Sequence, residues 1–127
     1  MDELIARVST AINVEAEVAK TAIGHVLAFL QKELPDGPVA EFVEKVSGAR
    51  ETIEAARAND NSGGGGLLGG LLNNGLMGLA TKLNAAGLDM GQIQKLGREI
   101  LAYAEEVVGK EKVQQIANAI PGLSQLL

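Results

Sequence analysis

The sequence EAEVAKTAIGHVLAFLQKEL, residues 15–34, decides the fold class of this chain. Its apolar residues recur at helical spacing in two adjacent rows, which together form a wide apolar stripe. The first row is Val18, Ala22, Val26 and Phe29, and the second is Ile23, Leu27, Leu30 and Leu34. A stripe this wide predicts a central helix that other helices contact on two sides.

Amphipathic segments flank the central helix on both sides. Residues 2–12 carry apolar residues at helical spacing behind two acids, and we expect Asn13 to cap the central helix. Downstream, Pro38 is placed for the first turn of a third helix. Ser47-Gly48 should end that helix, and a more polar fourth helix is predicted at residues 49–58.

The second half of the chain repeats this order of parts. A short helix is predicted around residues 76–83, followed by Asp89 as the cap of a long helix with Gln92 as its capping-box partner. Gly109 should end the long helix, and residues 113–120 suit a further one.

A shift of 74 residues aligns the two halves. It places Leu27-Ala28-Phe29 on Leu101-Ala102-Tyr103, and Val46-Ser47-Gly48 on Ile120-Pro121-Gly122. The shared order predicts an internal duplication whose halves pack about a pseudo-twofold axis. Two unrelated helical hairpins are the alternative.

We therefore expect an all-α protein, a compact helical bundle of about six to seven helices made of two similar halves. Residues 1–58 would form the N-terminal half and residues 76–127 the C-terminal half, with one shared core. Residues 59–75 would form a Gly/Leu-rich connector, and there is no strand-like segment in the chain.

The connector contains the sequence GGGGLLGGLLNN, residues 63–74, and no residue from 61 to 81 is charged. Burying a leucine side chain contributes roughly 1.5–3 kcal/mol, so the apolar residues here favour contact with something other than water. The candidate interaction residues are Leu67, Leu68, Leu71, Leu72, Leu76, Met77 and Leu79. Three partners remain open: the protein's own core, another protein chain including a second copy, and a membrane or lipid-like ligand.

The residues that usually carry chemistry are scarce. The chain has no cysteine, and the single histidine, His25, has no acid or second histidine one helical turn away. Gly64-x-Gly66-x-x-Gly69 matches the dinucleotide fingerprint, but no predicted strand precedes it. A calcium loop beginning at Asp60 would need an acid at position 71, which is leucine. We predict no catalytic, cofactor-binding or metal-binding residue, and no cofactor.

The net charge of −5 and the pI of about 4.8 make nucleic acid an unsuitable partner, because its phosphates require a basic surface. Acidic residues follow Met1, where a secretory signal would carry basic ones. A cytoplasmic location is therefore expected.

Residues 116–127, IANAIPGLSQLL, follow a long helix and a Gly-Lys-Glu turn. This ending resembles an uncharacterised bacterial family labelled VcgC/VcgE, and the Gly/Leu-rich segment resembles YidB-like bacterial proteins. The resemblance implies a bacterial source and a compact helical fold, and it brings no activity.

These observations together predict a non-enzymatic helical interaction module. It would bind itself, as a homo-oligomer, or another protein through apolar helix surface. The alternative is a carrier or sensor of a lipid-like apolar ligand or a membrane surface.

Overall fold

Seven α-helices and no strand occur in the part of the chain that the computed structural model describes, residues 2–34, 37–61 and 75–119. Within it, residues 57–61, 75–78 and 81 are described by their backbone alone. The helices are α1 (Asp2–Ile12), α2 (Ala16–Glu33), α3 (Pro38–Lys45), α4 (Ala49–Asn61), α5 (Gly75–Ala85), α6 (Met90–Val108) and α7 (Lys110–Ala119). The predicted all-α bundle is confirmed.

Helix α2 is the central helix that its wide apolar stripe predicts. It packs against α1, α3, α4, α5 and α6. Ala22, Ile23 and Leu27 are almost completely buried, and Phe29 and Leu30 are nearly so. Because apolar side chains cover so much of its circumference, α2 can pack against several helices at once.

Helices α2 and α4 approach each other very closely at Gly24. A Cβ atom built on Gly24 would lie 2.6 Å from the carbonyl oxygen of Thr52 and 2.8 Å from the Cβ of Ala56. Glycine is therefore required here by the neighbouring backbone and not by its own dihedral angles. Ala49, Thr52 and Ala56 of α4 are buried at this contact, and the Thr52 hydroxyl donates a hydrogen bond to the carbonyl of Gly48.

Most of the predicted helix ends are confirmed. Pro38 lies in the first turn of α3, Asp89 and Gln92 form the complete capping box of α6, and Gly109 ends α6 with a φ of 102°. The prediction that Asn13 caps α2 is wrong, since Glu15 is the residue that precedes the helix. Asn13 has a φ of 56° and follows the end of α1, because asparagine tolerates the left-handed conformation that turns the chain out of a helix.

The two halves of the chain share one hydrophobic cluster. Helix α1 packs on α2 of its own half and on α6 of the other, and α5 packs reciprocally on α6 and on α2. Adding 74 to the residue numbers of α1, α2 and α3 reproduces the bounds of α5, α6 and α7 to within two residues. The connector therefore joins two units with the same order of helices, packed reciprocally.

Candidate interaction site

The seven predicted interaction residues fall into three groups. Leu67, Leu68, Leu71 and Leu72 lie outside the described residues. Leu76 and Met77 lie in the first turns of α5, where only the backbone is described. Leu79 is 8% exposed and belongs to the hydrophobic cluster, so its partner is the protein's own core.

Helices α4 and α5, which flank the connector, have a neighbour in common. Helix α4 packs mainly on α2. Helix α5 packs on α2 and α6, with Leu79 and Leu83 buried, and Leu88 in the turn after α5 is buried as well. Residues 62–74 therefore begin and end on helices that both lie against α2. The sequence did not indicate this placement, because it depends on contacts between distant helices.

Where their described residues meet, the two halves enclose a small cavity. A cavity of about 10 Å³ lies there, with four lining residues from each half: Leu27, Leu30, Val39 and Phe42, and Ile100, Leu101, Ala104 and Ile116. This volume corresponds to about one water molecule, whereas pockets for small ligands measure about 300–1,000 Å³. The cavity cannot hold a lipid chain, and a leucine side chain does not fit in it either.

The edge where α1 meets α6 is held by a charged contact. Arg7 donates to both carboxylate oxygens of Glu106, at 2.5 and 3.3 Å, and its guanidinium lies 5.6 Å from the ring centroid of Tyr103. The hydrogen bond from Arg7 lowers the pKa of Glu106, and the same bond raises the pKa of Arg7. The pair lies at the surface, so its contribution to the stability of the fold is small.

A second charged contact joins α3 to α7. Glu41 accepts hydrogen bonds from Lys112 of α7 and forms an ion pair with Lys45 one turn along its own helix, at 3.0 Å. The hydrogen bond from Lys112 is the main cause that lowers the pKa of the Glu41 carboxyl, and the bond from Lys45 lowers that pKa further. Close by, the rings of Phe42 and Tyr103 meet edge to face at a centroid distance of 6.0 Å.

Gln92 makes a contact that the capping motif did not indicate. Its side-chain oxygen accepts from the Asp89 backbone N–H at 2.9 Å, as a capping box requires. Its Nε2 donates to the carbonyl of Ile12, the last residue of α1, at 2.8 Å. One side chain therefore caps the start of α6 and also satisfies a carbonyl at the end of α1.

The described residues do not gather the groups that catalysis or metal binding would need. His25 is half-buried on α2, and no three His, Asp or Glu side chains within the described ranges lie close enough to hold a metal ion. Every buried side-chain nitrogen or oxygen in this part of the chain has a hydrogen-bond partner. The dinucleotide-like glycines at 64–69 lie outside it. None of the described helices combines the length and apolar character needed to cross a bilayer.

Comparison with known proteins gave no matching family, no matching curated protein and no matching solved structure. The resemblance of residues 116–127 to a bacterial family stays a prediction, and residues 120–127 lie outside the described part of the chain.

Proposed function

We propose that this protein is a non-enzymatic helical interaction module, which binds a second copy of itself or another protein. The contact would use apolar helix surface and the leucines of the connector. The observation that carries the proposal is that the described residues of the two halves pack together around a cavity of only about 10 Å³. A cavity of this size has no room for a leucine side chain or a lipid chain.

The placement of the connector supports the same proposal. Helices α4 and α5 both pack on α2, so residues 62–74 of the connector join two helices that share a neighbour. This stretch carries four leucines and no charge. An uncharged stretch of this kind suits a contact with another chain if its leucines are exposed together.

The energy available from the connector is moderate. Full burial of its four leucines would contribute about 6–12 kcal/mol, and association costs an estimated 4–15 kcal/mol in lost freedom. The connector alone therefore supports weak to micromolar binding, and a tighter complex needs contacts from the neighbouring helices.

We also propose that the chain arose by duplication of one helical unit. The matching bounds of the helices under the 74-residue shift support this, as does the reciprocal packing of α1 and α5. A cytoplasmic location and a bacterial source remain part of the proposal, and the resemblance of residues 116–127 to a bacterial family supports the source.

The test is a concentration series in sedimentation velocity, combined with amide hydrogen exchange of residues 61–81. We expect self-association, or association with a protein partner, that is lost in the pair Leu71→Gln and Leu72→Gln. The matched control is Asn73→Gln with Asn74→Gln, which changes adjacent residues without removing apolar surface.

Two results would contradict the proposal. Strong exchange protection of residues 61–81 at both low and high protein concentration would mean that the protein covers these leucines itself. Binding to phosphatidylcholine vesicles that the leucine variant loses and the asparagine variant keeps would favour the lipid alternative instead.

A further inference from the structure

An open groove of about 730 Å³ lies where α1, α2 and α4 begin. Ile5 and Tyr103, both half-buried, line it together with Ala16 and Gly48. A smaller recess of about 190 Å³ shares lining residues with the groove, and it continues along α2 and α4 as far as Ala56. The two together form an elongated concavity. Ile5 and Tyr103 supply its larger apolar side chains, and the rest of its uncharged lining is small: Ala16, Gly48, Ala55 and Ala56, with the hydroxyl residues Thr21, Ser47 and Thr52.

The groove carries mostly acidic side chains. Asp2, Glu3, Glu17 and Glu51 line it, opposed by the single basic residue Lys20. Residues 1–61 hold eleven acids and six basic residues, whereas residues 75–127 hold five of each. The negative charge of the protein is therefore concentrated in the half of the chain that contributes most of the groove.

Helix stability explains why the residues in these positions are acidic, but it does not explain why they lie around one groove. Each acid lies in the first turn of its helix, where a carboxylate favours the positive helix end. No such preference requires three helices to begin around one concavity. Each helix end offers about half a positive charge, so three of them offset only part of the surplus of three carboxylates.

We infer that this groove binds a basic, amphipathic segment of another protein, whose apolar side chains reach the floor while its lysines or arginines meet the carboxylates. An apolar floor with a charged rim is the usual anatomy of a protein interface. Charge complementarity selects the partner, since the carboxylates would repel nucleic acid and anionic lipid. The groove contains none of the connector leucines, so this inference does not depend on the function proposed above.

The test uses two synthetic peptides as probes, one of Lys-Leu-Ala-Lys repeats and one in which glutamate replaces every lysine. Each is titrated into the ¹⁵N-labelled full-length protein. We expect the lysine peptide to bind with a Kd below about 1 mM and to shift the amide signals of Lys20, Gly48 and Tyr103. The glutamate peptide should leave these signals unchanged.

Matched variants separate a specific site from general charge attraction. Glu17→Gln with Glu51→Gln should weaken binding of the lysine peptide by roughly two- to thirtyfold, the range expected from two exposed charge pairs. Glu44→Gln with Glu105→Gln removes the same charge outside the groove and should leave the affinity nearly unchanged. Lys20→Gln should strengthen binding, and thermal unfolding checks that every variant is folded.

Three results would overturn the inference. Equal weakening by both pairs would show attraction to net charge alone. Amide shifts confined to other surfaces would place the peptide elsewhere. Equal binding of the glutamate peptide would show that the carboxylates do not select the partner.

Discussion

The side-chain amide of Gln92 donates a 2.8 Å hydrogen bond to the carbonyl of Ile12 while its oxygen completes the capping box of α6. The last carbonyls of a helix have no partner within that helix, so α1 gains a donor from the opposite half of the chain. The start of α6 in one half is thereby tied to the end of α1 in the other.

Gln92→Glu should separate these two roles. Glutamate is an accepted capping-box partner, so the cap of α6 should survive. A carboxylate cannot donate, however, and it would face the carbonyl of Ile12 with like charge. We expect a loss of about 1 kcal/mol in the free energy of unfolding, measured by urea denaturation.

Gln94→Glu is the control, because it makes the same chemical change two residues further along α6. It should be nearly neutral, because Gln94 lies just beyond the first turn, where the effect of the helix dipole has largely decayed. If both variants have the same stability, the bond to Ile12 contributes nothing and the two halves are held by their apolar contact alone.

Gly24→Ala should destabilise the protein, even though alanine is favoured over glycine in a helix by about 1 kcal/mol. The added methyl would lie 2.6 Å from the Thr52 carbonyl, which is backbone and cannot rotate away. Overpacking of this kind costs about 1–3 kcal/mol and should exceed the gain in helix propensity. Thermal unfolding measures the net effect.

Gly91→Ala supplies the matched control for that substitution. Its added methyl would meet only the Asp89 carboxylate at 3.4 Å, so the propensity gain should appear as a small increase in stability. A stabilised Gly24→Ala variant would show that α2 and α4 can separate without cost.

The sequence predicted what depends on local pattern. The all-α class, the central helix, the Asp89–Gln92 capping box and the glycine end at Gly109 all follow from residues within a few positions of one another. The bond from Gln92 to Ile12 joins residues 80 positions apart, and no local pattern indicates it. Asn13 was misassigned because asparagine suits both a helix start and the left-handed turn after a helix.

The candidate site was harder to predict than the fold. In the sequence, Leu79 continues the helical spacing of Leu68, Leu71, Leu72 and Leu76, and nothing local sets it apart from them. The structure places Leu79 in the core. Which leucines a small bundle buries depends on where its helices cross, and periodicity does not contain that information. The acidic groove was missed for the same reason, since its residues come from the starts of three separate helices.

Acid should weaken the contacts between the halves at Glu41 and Glu106. Hydrogen bonds from Lys112 and Arg7 lower the pKa of these carboxyls in the folded protein, so the unfolded chain binds protons first as the pH falls. The stabilisation is complete above the unfolded glutamate pKa of about 4.3 and is lost as the pH falls through the lower folded values. Melting temperatures between pH 7 and pH 3 would show this decline.

The double variant Glu41→Gln, Glu106→Gln should be less stable than the natural protein at pH 7 and closer to it at pH 3. Added salt should reduce the difference at pH 7, because one pair is exposed and the other is only half-buried. Glu44→Gln with Glu105→Gln removes the same charge on α3 and α6. A difference from the natural protein that stays constant over the pH range would show that ionisation is not the cause.

Leu79→Ala should distinguish the role of Leu79, which is buried in α5, from the role of the connector leucines. Leu79 is 8% exposed within the core, so its truncation should lower the free energy of unfolding by about 2–5 kcal/mol at any protein concentration. The pair Leu71→Gln, Leu72→Gln should leave the dilute monomer nearly as stable, because the proposed partner of those leucines is another chain. Urea denaturation at low protein concentration makes the comparison. If the connector pair destabilises the dilute monomer as strongly as Leu79→Ala, the connector leucines serve the protein's own fold, and the binding surface must be sought on other helices.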